Sequence, residues 1–143
     1  MEQHLGTVTC PMTARVSALK GPSLPLPAEL HYGITDPYAV RLSLGPSTGP
    51  PVTWVFAREL LAEGFRRPTG SGDVLVLSGY GRNPHSLRIV LSNCAGTALV
   101  DLAATEVASF VRETFALVPG GTENDHLDLD GAIAVLMGRS SMP

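Results

Sequence analysis

Charge is scarce in this 143-residue chain: Asp, Glu, Lys and Arg make up 16% of it, against roughly 25% in ordinary soluble domains. Only one lysine, Lys20, is present. Ten Lys and Arg against thirteen Asp and Glu leave a formal net charge of -3, without any block of like charge. A protein that grips a phosphate backbone carries a basic excess, so the balance opposes nucleic acid. Aromatic residues amount to 6% and do not alternate with basic ones, so no stacking stripe marks a single-strand binder. Arg66-Arg67, Arg82, Arg88 and Tyr80 are the sparse candidates for such contacts. The two cysteines, Cys10 and Cys94, stand apart from each other and from any Cys/His cluster, which excludes a disulfide framework and a cysteine metal site. No apolar run approaches the roughly 20 residues of a membrane helix. Met1-Glu2-Gln3-His4 offers no basic start to a secretory signal, so a cytoplasmic protein without membrane insertion is expected.

Catalytic patterns are missing as well. GxSxG, GxxxxGK[ST] and GxGxxG are all absent, and Gly70-Ser71-Gly72 reads as a flexible connection between a helix and a strand. The run Asp125–Gly131 resembles a calcium loop, but His126 stands at its first ligand position and Met137 where the closing Glu belongs. Helix capping by Asp128 and dipole complementation by Asp130 are the ordinary alternative. His4, His31, His85 and His126 are scattered. No catalytic, cofactor-binding or metal-binding residue is assigned, and a non-enzymatic protein is expected.

What the chain has is apolar pattern: 44% hydrophobic residues and a mean hydropathy of +0.18, enough for one core in a single domain spanning residues 1–143. Strict alternation predicts a strand over Thr7–Ala18, with Val8, Cys10, Met12, Ala14, Val16 and Ala18 on one face. Pro11 predicts an edge or a bulge there. Further strands are predicted around Ala28–Tyr32, Tyr38–Leu44 and Val52–Phe56. Then the period changes to that of a helix, with Ala57, Leu60, Leu61 and Gly64 on one side and Gly64 as a left-handed stop. The order repeats: strands at 73–77, 87–91 and 98–102, then a helix capped by Thr105 and ended by Pro119-Gly120-Gly121. A last amphipathic helix would start at Asp128, with Leu129, Ala132, Ile133, Leu136 and Met137 on one side. The expected class is α+β, with about seven mostly antiparallel strands in two sheets and two to three helices, in the order strands-then-helix twice.

Two or three short helices cover one face of such a sheet but hardly two, so a homo-oligomer is expected. The alternative is a sheet that curls and hides its apolar faces within one chain. On the first helix Arg58, Glu59 and Glu63 place charge beside Trp54 and Phe56, a mixture that suits a protein contact. Trp54, Arg58 and Glu59 are therefore the partner-contact candidates, against the alternative of an intrachain salt bridge on a solvated helix.

Several segments resemble a known family: Asp36-Pro37-Tyr38-Ala39-Val40, the run Trp54–Gly64, Arg67-Pro68-Thr69-Gly70-Ser71-Gly72-Asp73-Val74, Val118-Pro119-Gly120-Gly121-Thr122-Glu123 and His126–Asp130. In order and over most of the chain they are similar to the SsgA-like proteins, sporulation and cell-division proteins of actinomycetes. The resemblance implies a whirly-like fold, a homotrimer, and a role at division septa in positioning FtsZ together with an SsgA-like paralogue. The whirly-like shape also raises the alternative of a regulator that binds single-stranded nucleic acid.

Overall fold

The structure, a computed structural model, describes residues 2–4, 6–45, 50–70, 72–79 and 85–126. The helix expected from Asp128 lies outside the described residues, as do Ser71, Tyr80, Arg82 and most of the calcium-like run.

Eight strands form one antiparallel sheet: β1 (Glu2–His4), β2 (Thr7–Ala18), β3 (Leu24–Gly33), β4 (Ala39–Leu44), β5 (Val52–Ala57), β6 (Val74–Ser78), β7 (Ser86–Asn93) and β8 (Gly96–Ala103). Their spatial order is β5-β4-β3-β2-β8-β7-β6, with β1 paired to the start of β2. The expected two sheets are thus one. Strand β2 is long enough to pair with β3 over Thr7–Val16 and with β8 over Arg15–Ala18, which joins the halves through a single strand. For the same reason β2 is not an edge strand. Pro11 is tolerated because β1 pairs only with Thr7–Thr9 and β8 only from Arg15 onward, leaving that flank of β2 unpaired at Pro11.

The register puts one apolar row on one face: Val8, Leu30, Val40, Leu42, Val76, Leu87, Ile89 and Val100 are all fully buried. Side chains of this kind contribute about 1.5–3 kcal/mol each on burial. This inner face, not the composition of either half, gathers the two halves around one core. Alternation sets Tyr38 on the same face as Val40, Leu42 and Leu44, but Tyr38 precedes β4 and is exposed.

Two helices pack on the inner face, α1 (Arg58–Glu63) and α2 (Ala104–Leu117). Helix α2 begins one residue before the expected cap: Ala103 holds the cap position, without a side-chain bond, and Thr105 lies in the first turn. Val107 and Phe110 carry its buried side. Gly64 is not a left-handed stop, since its φ is -60°. It is glycine for lack of room: a Cβ there would run into Val76 Cγ1 on β6. A 3-10 turn, Glu123–His126, ends the described chain.

Candidate functional site

The inner face of the sheet has two ends. The register brings the start of β2, the end of β3, the start of β4 and the end of β5 to one of them, and both helices close it. The other end combines the finish of β2, the start of β3, the finish of β4, the start of β5 and the β7–β8 turn.

Arg58 holds the closed end together. Its side chain is 1% exposed although it opens a helix whose neighbour Glu59 faces solvent. Its Nη1 donates to the carbonyls of Thr114 (3.0 Å) and Val118 (2.7 Å), and its Nη2 to Glu123 Oε2 (2.7 Å). The last turn of α2 contains no basic residue, so a cation from α1 supplies the donors and the positive charge that its terminal carbonyls call for. The guanidinium lies 3.9 Å from the centre of the Phe115 ring and 5.0 Å from that of Tyr32, distances suited to cation–π attraction. Nε is the one buried side-chain donor without a hydrogen-bond partner among the described residues.

The surrounding bonds tie the same point to the rest of the sheet. Arg58 donates its backbone N–H to the Tyr38 carbonyl (2.7 Å), Tyr32 its hydroxyl to the Pro37 carbonyl (2.8 Å), and Tyr38 its hydroxyl to Asn124 Oδ1 (2.7 Å). Glu123 accepts from the Gly121 N–H through its other oxygen (2.9 Å). Its own backbone N–H, then Arg58, then the Gly121 N–H hold its carboxyl below the usual range, more than burial raises it. Burial pushes the Tyr32 phenol up, against the opposing pull of Arg58.

The other end is an open groove of about 510 Å³. Val16, Leu26, Leu44, Val52, Trp54 and Leu91 line it, with the turn between β7 and β8 at its mouth and, among the described residues, no charged side chain in its wall. Leu24, 62% exposed, extends the apolar surface beyond Val16 and Leu26. Beside it β5 is a free sheet edge, whose Val55 points outward and is 56% exposed. The opposite edge strand, β6, is bridged by Thr69, whose N–H and carbonyl both bond to Val76.

The three contact candidates are therefore separated. Trp54 is half-buried in the groove wall, Glu59 is exposed, and Arg58 is internal. Arg58 as a surface contact is corrected: its charge is enclosed by two carbonyls, a carboxylate and two rings. The intrachain salt bridge exists, but it is buried and reaches Glu123 on a distant segment rather than a neighbour on a solvated helix. Sequence inspection missed Glu123 and Thr114. The available signals were the cation-free end of α2 and an arginine next to the apolar side of a short helix.

Of the cations considered for nucleic acid, Arg82 lies outside the described residues and the other three pair with carboxylates of this chain. Arg66 and Arg67 pair with Glu63, and Arg88 makes a two-pronged bond to Asp101 at 2.7 and 2.9 Å. His31 lies by Arg41 on the outer face, where burial first and the arginine second hold its pKa down. Among the described residues, no group of three or more His, Cys, Asp and Glu is placed to hold a metal ion.

The chain matches the family described as Streptomyces sporulation and cell division protein, SsgA, over residues 26–123. It is 42% identical over 134 residues, 94% of this chain and 98% of the relative, to the sporulation-specific cell division protein SsgB of Streptomyces coelicolor. It is 45% identical over 131 residues, 88% of this chain and 77% of the relative, to SsgB of Kineococcus radiotolerans. Among solved structures, one of Streptomyces coelicolor SsgB, whose mutations are described as correlating to longitudinal cell division during sporulation, matches with a TM-score of 0.77. That match has 42% identity and covers 87% of this chain and 99% of that one. An SsgA-like sporulation-specific cell division protein from Thermobifida fusca matches with a TM-score of 0.80 and 34% identity, covering 95% of this chain and 99% of that one.

Proposed function

This chain belongs to the SsgA family of sporulation and cell division proteins, and from that premise we propose that it acts without catalysis in sporulation-specific cell division. It recruits or positions FtsZ at septation sites through protein–protein contacts. The observation that carries this is the 42% identity to Streptomyces coelicolor SsgB across nearly the full length of both chains. The geometry supports it in kind: an uncharged concave wall suits apolar side chains of another polypeptide better than the developing charge of a reaction.

The finer parts of the proposal are a whirly-like arrangement, assembly into a homotrimer, and cooperation with an SsgA-like paralogue in the cytoplasm at division septa. Trp54 from the groove and Glu59 from α1 are the proposed contacts. Arg58 acts indirectly, by fixing the helix that presents Glu59. In light scattering the chain should give three times 15.0 kDa. Immobilised FtsZ should retain it, and Glu59→Lys should weaken retention while leaving the denaturation midpoint in place. A chain that FtsZ does not retain, with or without the paralogue, overturns the proposal. Tight binding of single-stranded DNA that collapses with added salt would favour the nucleic-acid alternative.

A further inference from the structure

We propose that the outer edge of β5 is the docking site for an extended segment of a partner protein, added to the sheet as one more antiparallel strand with a carboxylate opposite Val55. This docking rests on the proposed role in holding another protein, and specifies how that protein is held.

The register shows which backbone groups the edge presents. The Arg58 N–H bonds to the Tyr38 carbonyl, one step beyond the Ala39–Ala57 pair, so Tyr38 and Arg58 are a hydrogen-bonded pair of the β4–β5 ladder. Bonded pairs alternate along antiparallel strands, which makes Val40–Phe56, Leu42–Trp54 and Leu44–Val52 bonded pairs too. The other flank of β4 agrees. There the Gly45 N–H bonds to the Pro27 carbonyl, one step beyond Leu44–Ala28, so Ser43 and Arg41 turn their backbone groups to β3. Thr53 and Val55 therefore aim both N–H and C=O away from β4, where no described strand receives them. Donors and acceptors at strand spacing are completed by another strand, so the occupant is an extended polypeptide.

Such an edge is normally defended by charge, proline, a bulge or a cover. Val52–Ala57 holds neither charge nor proline, and its register with β4 has no bulge. The opposite edge differs: on β6 both backbone groups of Val76 bond to Thr69. Pro50-Pro51 before β5 and α1 after it confine an added strand to about six residues, or 20 Å.

Side chains define the partner further. On the inner side its residues rest on half-buried Trp54 and on Val52, which is 61% exposed, so they are apolar. On the outer side Arg41, beside Val55, is the one charged residue of β4 and β5. It is exposed and meets no carboxylate among the described residues. Strands two apart are separated by about 10 Å, a gap that an arginine and a glutamate bridge together. The segment thus alternates apolar residues with polar ones and carries an acid opposite Val55. A second copy fits less well. Its β5 brings no charge to Arg41, and pairing of β5 with β5 is two-fold, which does not build the proposed trimer. A ring of edges would need β6, already bridged by Thr69.

Amide hydrogen exchange reads this edge residue by residue. In the full chain alone, the Thr53 and Val55 amides should exchange fast and those of Trp54 and Phe56 slowly. A synthetic peptide of alternating valine and glutamate, at millimolar concentration, should slow Thr53 and Val55 and leave the other two as they were. Val55→Pro removes an outward N–H without removing a bond to β4, and should weaken peptide binding about tenfold. Arg41→Glu should weaken it less, by a factor that added salt erases. Unchanged exchange at Thr53 and Val55 with the peptide present overturns the proposal. So does slow exchange of both in the chain alone: if it persists on dilution the chain covers its own edge, and if it is lost a second copy does. The exchange pattern of the parent decides even where the proline variant does not fold. On immobilised FtsZ, Val55→Pro should lose retention by a similar factor. Undiminished retention overturns the edge as the seat and leaves the division role standing, whereas a parent that is not retained removes that role while the peptide still decides the edge.

Discussion

The two ends of the inner sheet face are built from the same strands but closed by opposite means. At the Arg58 end a charge is taken out of water and surrounded with partners: two carbonyls at the end of α2, the Glu123 carboxylate and two aromatic rings. At the Trp54 end the described wall is mostly apolar, with Asn93 and Thr97 as its polar members, and neither described helix lines it. A buried ion pair adds little net energy compared with an apolar replacement, but it accepts only one arrangement of its partners. The closed end therefore fixes how α1, α2 and the 3-10 turn sit on the sheet. The open end makes no such demand, because apolar contacts are not directional.

The sharpest way to break the contrast is Arg58→Ala. It leaves the α2 carbonyls and Glu123 without their donor and should lower stability by about 3–5 kcal/mol in chemical denaturation. Arg58→Lys should recover only part of this, since a point charge cannot serve three acceptors with a planar fork. If the alanine variant unfolds at the parent's denaturant midpoint, the closed end is not held as described. Next in size, Gly64→Ala pushes a methyl group into Val76 and should cost about 1–3 kcal/mol by the same measurement.

Glu123→Gln sharpens the comparison through pH. The folded carboxyl titrates below its ordinary value of 4.5, so the unfolded state takes up the proton first as pH falls. The stability that the carboxylate contributes is complete above 4.5 and is lost as pH falls through the folded value. Parent and variant should differ most at neutral pH and converge in acid; a gap independent of pH would remove the carboxylate from the account. The smallest effect belongs to the open end, where Leu24→Ser and Val55→Thr should each stay within about 0.5 kcal/mol of the parent. A larger loss in either would show that surface to be already covered.

The strands were largely legible because alternation has a period of two and the buried face enforces it. Thr7–Ala18 is bounded in the structure as the pattern predicts, and in the second half Val74, Val76, Leu87, Ile89 and Leu91 recur at that period and are buried. Where a single residue belongs to two neighbourhoods, the pattern failed. Pro11 suggested an edge or a bulge, but β2 is central, keeps an unbroken register with β3 and is merely unpaired on its other flank at that point. Gly64 suggested a turn conformation, but the constraint comes from β6, twelve residues further on. Arg58 read as surface because charge is normally solvated, and its partners lie 56 to 65 residues away. The family resemblance was legible in the same segments that meet at this point: Tyr38, Arg58, Val118 and Glu123 all belong to it and are directly bonded. The resemblance thus marks the scaffold more clearly than the groove.

By itself the sequence determined which residues alternate, where the period changes from strand to helix, and the family to which such a chain belongs, because these depend on neighbours along the chain. Only the tertiary structure decided that the strands form one sheet rather than two, that Arg58 is enclosed, and that one end of the inner face is left apolar and open. Those outcomes depend on which distant segments come to share a low-dielectric interior, and no local pattern encodes that.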